Sequence, residues 1–520
     1  MSASVLPLLR SAATQIERNQ FDAAAITLES ALLLAPQHVP ARLLAVNAYL
    51  RLDQPRAAHA HALQAAQTKP PDAGSELDLF NRLRGFNEFS LMIASGERLL
   101  AHKGLTPVQC MQVASGLSAI GAAELANAMG ERMRVQAPKH PATLLTLGSL
   151  ATHRGDFDAA ETALEQGIKV EPRLAMAHWL LARLRTQTRD RHHIARLTQL
   201  VADPVLTPTD NALAGFALHK ELHDVGDHAL AWRALERACA VKRRNNGYDE
   251  AGTMALFDAL HAQPRPKEPP VASAPMPGPV PIFIVGMHRS GTTLLERILG
   301  RHAMVQDCGE TYRFTAQWRL AANHHCRGVV DAGIIALTGK LDHARVGAAF
   351  LAACRERLAP EVTHFTEKLP SNFLAIDLIK RALPHARILH MQRDPMDTCL
   401  SNLRELFSDA CAYSYDQGEL ARYYLRYARL MQHWHQVYPD QILDVRYEDL
   451  VADPQAQARR VLAYCGLPWR DACVDDNAVA GVVITASSVQ VRAPIHARSV
   501  GGWRSYETQL EPMRAILASG

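Results

Sequence analysis

The chain has 520 residues, 48% of them hydrophobic and 21% charged, with a formal net charge of +4, a profile of folded globular protein with room for two or three domains. So small a charge excludes a broad nucleic-acid-binding face, and any anion site must be local. Nine cysteines, an odd number with no C-x-x-C pair, speak against a disulfide framework or a zinc cluster and for a reducing, cytoplasmic location. In chain order, the start Met1-Ser-Ala-Ser-Val-Leu-Pro-Leu-Leu-Arg lacks a basic segment leading into a long apolar core. No run of about 18 apolar residues follows anywhere, so neither export nor a membrane span is expected.

The first half carries an internal period. Pro36, Pro70, Pro138 and Pro172 fall on one register of 34 residues, with Gly104 at the missing step. Each follows an apolar stretch of helical spacing, and Ala24, Ala58, Ala126 and Ala160 stand twelve positions before the prolines. The clearest unit is Leu147-Gly148…Gly155-Asp-Phe-Asp-Ala-Ala160…Pro172. This pattern resembles the tetratricopeptide repeat, a helix–turn–helix of that length in which small residues let paired helices approach closely. A less regular pair, Ala212 to Leu222 and Ala229 to Val241, turns around Gly226-Asp227. The expectation is a tetratricopeptide-like helical domain over 1–261 whose concave face takes a protein or peptide partner, an acceptor substrate, or a second copy of the chain. Residues 262–280 are too rich in proline for helix or central strand and predict a linker.

The segment Pro281-Ile-Phe-Ile-Val-Gly-Met-His-Arg-Ser-Gly-Thr-Thr-Leu294 opens the second half. It reads as a buried strand, a tight turn and a helix beginning at Ser290-Gly291-Thr292-Thr293. Backbone N–H groups and the positive end of a helix dipole then converge on one spot, which suits phosphate or sulfate. The Gly286 to Gly291 spacing follows the Walker A frame, but Thr292 occupies the lysine position, which suits a magnesium-bound triphosphate poorly. Further strands are expected at Val362 to Thr366, Ala386 to Gln392 and Gln441 to Arg446. Asp453-Pro454 begins a helix that stops at Gly466. Strands alternating with helices over 281–520 imply an α/β domain with a central parallel sheet and ligand groups at the carboxyl ends of its strands. Arg289, Lys368 and Arg393 all lie at such ends.

The run Gly286-Met-His-Arg-Ser-Gly-Thr-Thr-Leu294 resembles the 5′-phosphosulfate loop of sulfotransferases that use 3′-phosphoadenosine-5′-phosphosulfate (PAPS). Arg393, with Ser401 eight residues on, is similar to their 3′-phosphate motif. Asp307-Cys-Gly-Glu310-Thr and Thr366-Glu-Lys368-Leu-Pro resemble the glutamate and lysine segments of tyrosylprotein sulfotransferases. Tyr447-Glu-Asp-Leu-Val and Thr485-Ala-Ser-Ser-Val-Gln-Val-Arg…Arg498-Ser-Val-Gly-Gly-Trp503 continue the likeness. The whole chain is similar to bacterial proteins with tetratricopeptide repeats ahead of a sulfotransferase domain.

That resemblance implies transfer of a sulfuryl group from PAPS to an acceptor hydroxyl (protein tyrosine, saccharide or small molecule), leaving adenosine 3′,5′-bisphosphate. It implies that Arg289, Ser290, Gly291, Thr292 and Thr293 hold the 5′-phosphosulfate, and that Arg393 and Ser401 hold the 3′-phosphate. Tyr447 and Ser487 become further cofactor contacts, Lys368 the group that stabilises the departing phosphate, and Glu310 the general base. For that last role burial should raise the pKa of Glu310. No metal is implied. Two other readings are a nucleotide kinase or NTPase with an altered P-loop, and a repeat scaffold without catalysis. His192-His193, His324-His325 and His433-x-His435 lack regular metal-ligand partners and are expected to be surface or core residues. The chain departs from the family pattern at His288, where proline is common, and at Gly502, where a basic residue is usual; Arg498 and Arg504 are the candidate replacements.

Overall fold

The structure, a computed structural model, describes residues 5–266, 278–326, 328–407, 409–475 and 495–520. Most of the proline-rich linker and Ser487 therefore lie outside the described residues. The chain divides into two compact units: Met1–Pro138 with Tyr312–Arg357, and Lys139–Thr311 with Leu358–Gly520.

The first unit begins with eight helices, from Val5–Glu17 to Ala123–Gln136, each packed on its neighbours. The breakers read from the sequence stand between them. Pro36 follows Phe21–Leu34, Pro70 follows Pro55–Ala66, and Gly104 precedes Pro107–Ala119. Ala24, Ala58 and Ala126 are fully buried, and Met92 fills the same position in the unit that ends at Gly104. The helices stack because the small side chains bring their axes close, as the period requires. Helices Arg313–Ala322, Ala332–Thr338 and His343–Arg355 belong to this unit. Arg56 holds the first of them, its Nε donating to the Leu320 carbonyl at 2.7 Å and its backbone N–H to Asn323 Oδ1 at 3.0 Å.

The second unit joins seven helices, from Pro141–Arg154 to Glu250–His261, to the α/β sheet. Buried Ala160 and the left-handed Gly155 occupy the places that the repeat assigns them. Ion pairs tie these helices to the sheet's flanking segments: Arg183 to Glu405 at 3.0 Å, and Glu250 to Arg422 at 2.7 Å and Arg426 at 3.0 Å.

Five parallel strands form the sheet: β1 (Val280–Gly286), β2 (Val305–Gln306), β3 (His364–Glu367), β4 (Arg387–Gln392) and β5 (Ile442–Arg446), in the order β2-β3-β1-β4-β5. Central β1 is buried on both faces, with Ile282, Phe283, Ile284 and Val285 at zero exposure. That accounts for its unbroken apolar run. The chain fills one side of β1, edge strand β2 first and then β3 beside β1, before crossing to the other side for β4 and β5, so β1 is the switch point where such sheets take ligands. The register sets what meets there. Phe283 pairs with Glu367 and Gly286 with Met391, which brings the turn after β1, Lys368 after β3 and Arg393 after β4 to one edge. Two-residue β2 gives no sequence signal; the other strands start within two residues of their expected limits.

Candidate active site

The turn after β1 is shaped by close approaches. A Cβ on Gly286 would lie 2.5 Å from the Met391 carbonyl oxygen, and one on Gly291 would lie 2.6 Å from the Tyr447 ring. Both positions need glycine, and Gly291 also has φ 107°. Arg289 takes φ 67°, a left-handed setting that is uncommon for a side-chain-bearing residue and turns the backbone sharply. Ser290 closes the bend, its Oγ donating to the Met287 carbonyl at 2.8 Å. Helix Thr292–Gly300 starts directly afterwards with Gly291 as its cap, so its first N–H groups face the turn.

Two arginines and a serine meet at this turn. Arg393 Nη1 donates to the Arg289 carbonyl at 3.2 Å, and Arg289 Nε donates to Ser401 Oγ at 3.3 Å. Arg393 Nη2 donates to the Ser499 carbonyl at 2.6 Å, and its guanidinium lies 4.8 Å over the Tyr447 ring. The Tyr447 hydroxyl pairs with Ser499 Oγ at 2.7 Å. Glu405, 3.7 Å from Arg289, supplies a counter-charge. Burial lowers the Arg289 pKa, Glu405 opposes that, and the charges of Arg183, Arg393 and Arg404 add to it. Arg393 Nε is buried and has no hydrogen-bond partner among the described residues. A buried guanidinium N–H without an acceptor fits an anionic ligand.

Lys368 is fully buried at the end of β3, with Nζ 2.5 Å from Glu310 Oε1 and 3.9 Å from Glu296 Oε2. Glu296 is anchored beneath it by the Thr366 hydroxyl at 2.7 Å and the Gly309 N–H at 2.9 Å. Burial disfavours the Lys368 ammonium, but Glu310 and Glu296 outweigh it and raise the pKa. Burial raises Glu296, and Lys368 only partly offsets this. Glu310 behaves differently. Burial pushes its carboxyl up, but the charge and hydrogen bond of Lys368, with smaller contributions from His288 and Arg289, hold it below its ordinary range. The raised pKa expected for Glu310 is therefore corrected: the adjacent ammonium decides it, and sequence distance hides that neighbour.

Residues 281–471 match the model of the sulfotransferase family. This stretch is a sulfotransferase-family domain. A protein of Aquifex aeolicus, described as uncharacterized, is 27% identical over 407 residues, covering 74% of this chain and 51% of its own length. Protein-tyrosine sulfotransferase A of Caenorhabditis elegans is 26% identical over 245 residues, 43% of this chain and 60% of its own. The chain thus spans about half to three-fifths of these relatives. The sulfotransferase domain of the Synechococcus PCC 7002 olefin synthase is 18% identical, covering 47% of this chain and 98% of that one at TM-score 0.33.

Within the sulfotransferase domain, Arg289, Arg393, Ser401 and Tyr447 come together around the turn that holds Ser290, Gly291, Thr292 and Thr293, and Glu310 comes to Lys368. Several partners have little sequence signal. Asp394 and Asp397 look like natural partners for Arg393, yet Asp394 caps its own helix at the Asp397 N–H (2.9 Å). Asp397 accepts from the backbone N–H groups of Gly501 at 2.6 Å and Trp503 at 3.0 Å. Asn402 Nδ2 donates to the His288 carbonyl at 2.7 Å. Glu296 has one retrospective signal, its position four residues after Thr292 on the same helix face. His288 stands beside the Tyr413 hydroxyl at 3.3 Å, the Cys411 Sγ at 3.6 Å and the Phe407 ring. Burial drives its pKa down to about 4, so the imidazole is neutral at pH 7. Arg504 stacks on Trp503 and lines a cavity of about 590 Å³ with Arg393 and Arg446. That cavity opens along β4 and β5; neither Lys368 nor Glu310 lines it. No helix among the described residues is long and apolar enough to cross a membrane.

Proposed function

We propose that this protein is a PAPS-dependent sulfotransferase, in which residues 281–520 perform the transfer and the tetratricopeptide-like residues 1–261 bind a protein or peptide partner. The observation that carries the reading is the meeting of Arg289, Arg393 and Ser401 at the β1 turn, with the Lys368–Glu310 pair at the neighbouring strand end. The site fits the cofactor's two anionic ends. Gly286 and Gly291 leave a cradle that a Cβ would fill, and Arg393 offers a buried N–H with no partner among the described residues.

PAPS supplies the sulfuryl group and departs as adenosine 3′,5′-bisphosphate. The N–H groups of 290–293, the Thr292 and Thr293 hydroxyls and Arg289 hold the 5′ end. Arg393 and Ser401 hold the 3′-phosphate, with Tyr447 supporting the Arg393 guanidinium from below. Lys368 neutralises charge that develops on the leaving phosphate oxygen, which is where fixed charge lowers a barrier most. Glu310 takes the proton from the acceptor hydroxyl. Its carboxylate is ionised at rest because Lys368 stabilises it, and its basicity rises when Lys368 turns toward the leaving group. At 37% exposure the Glu310 side chain is open to an incoming acceptor.

The acceptor to test first is a tyrosine-containing peptide, since the relatives include protein-tyrosine sulfotransferases. Adenosine 3′,5′-bisphosphate should stabilise the fold by RT ln(1+[L]/Kd), read as a raised melting temperature, and Mg-ATP by much less. Labelled sulfate should pass from PAPS to the acceptor in a reaction that Glu310→Gln suppresses. Equal shifts with both nucleotides, or equal transfer by both proteins, would overturn the assignment.

A further inference from the structure

We propose that His390, His435 and Asp444 form a binding site for a divalent transition-metal cation of the zinc class. The three residues come from separate elements. His390 lies on β4 and Asp444 on β5, and the strand register pairs them directly. His435 reaches them from the last turn of helix Gln417–Val437. His390 Nδ1 and His435 Nε2 both point at one oxygen, Asp444 Oδ1, at 2.7 and 2.9 Å. One ligand atom from each residue lies within 4.8 Å of the others.

Ligand atoms around a tetrahedral zinc with bonds of about 2.1 Å stand about 3.4 Å apart, so a small outward movement of the carboxylate admits the ion. Imidazole and carboxylate are the donor set that zinc and its neighbours take. The support around the ligands also fits. The far nitrogen of His390 is hydrogen-bonded to the Tyr427 hydroxyl, which fixes the ring and leaves Nδ1 as the coordinating atom, as outer-shell partners do for metal-bound histidines. His390 is buried, whereas Asp444 and His435 are each about a third exposed and line the 590 Å³ cavity. The fourth position of the ion therefore faces the cavity and takes water. The cavity lining carries Arg393, Arg446 and Arg504 against Asp394, Asp397, Asp444 and Glu448, so charge does not bar a cation. Two strands and a helix end give a rigid chelate, and the site lies three residues before Arg393 on the same chain.

Metal-free full-length protein, titrated with Zn²⁺ by calorimetry and with Co²⁺ by visible absorption, tests the site without any nucleotide. The wild type should bind one equivalent that disappears in His435→Ala and weakens at least tenfold in Asp444→Asn, with unchanged far-ultraviolet circular dichroism. Asp444→Asn keeps the shape and one acceptor oxygen while removing the charge, so it reports on coordination even if His435→Ala folds poorly. His324, Cys326 and Asp331 also cluster, and Cys326→Ser must leave that equivalent in place. Binding unchanged in both His435→Ala and Asp444→Asn, its loss in Cys326→Ser, or no binding by the wild type overturns the proposal.

Discussion

The two halves of the candidate active site solve the same electrostatic problem in opposite ways. At the β1 turn, positive charge and N–H dipoles are gathered: Glu405 stands 3.7 Å from Arg289, Ser401 accepts from Arg289 Nε, and the buried Arg393 Nε has no hydrogen-bond partner among the described residues. At the end of β3, Lys368 is answered twice, by Glu310 and Glu296. In the proposed function the first region receives an anion, and the second must exchange one partner for another before it acts. Binding and chemistry then fall to different sheet ends, and substitutions can separate them.

The largest effect should come from Glu310→Gln, which removes the proposed base. Turnover is expected to fall about 10²–10⁴-fold, with the affinity for adenosine 3′,5′-bisphosphate unchanged by calorimetry. Lost affinity of similar size would merge the two regions into one. Lys368→Met should cost turnover about 10²–10³-fold and also lower the melting temperature, because Glu296 is left buried without its cation. At the turn, Arg393→Ala should weaken adenosine 3′,5′-bisphosphate by about 10–100-fold, the scale of a charged hydrogen bond; unchanged affinity would remove the 3′-phosphate assignment. Gly291→Ala should push against Tyr447 and lower the melting temperature by roughly 3–6 °C.

The smallest effect is the sharpest test of the comparison. The Glu310 pKa is held down by Lys368, so the pair is intact above the ordinary carboxylate range and is lost as pH falls through the depressed value. When the cofactor draws Lys368 away, that pKa must rise. The acid limb of kcat should therefore lie at higher pH than the limb of kcat/KM. Coincident limbs would mean that Lys368 never leaves Glu310.

The strand–turn–helix at 281–300 is legible because three independent demands coincide in one short segment: an apolar run, glycines at close approaches and a helix start. The proline register is legible for a similar reason, since a helix must stop at each step. Helices 313–355 carry no such punctuation, and their place in the first unit depends on contacts such as Arg56 to Leu320 that lie more than 260 positions apart. The motif residues Arg289, Arg393 and Ser401 can be found in the sequence, but their partners cannot. Asp397 looks like a counter-ion for Arg393 and instead holds backbone. His435 looks like a surface histidine until a strand register brings His390 and Asp444 beside it. Glu310 shows the limit most clearly, for its ionisation is set by a lysine 58 positions away.

The grip on the C-terminal segment has one more consequence. Arg393 takes the carbonyl of Ser499, and Asp397 takes the peptide N–H groups of Gly501 and Trp503. A peptide captured by its main chain is indifferent to side-chain identity, so a glycine at 502 costs nothing in placement. Position 502 is accordingly where a new side chain can be written in without releasing the strap that carries it, whereas Gly501, at φ 72°, and Ser499, whose hydroxyl pairs with Tyr447, hold their identities.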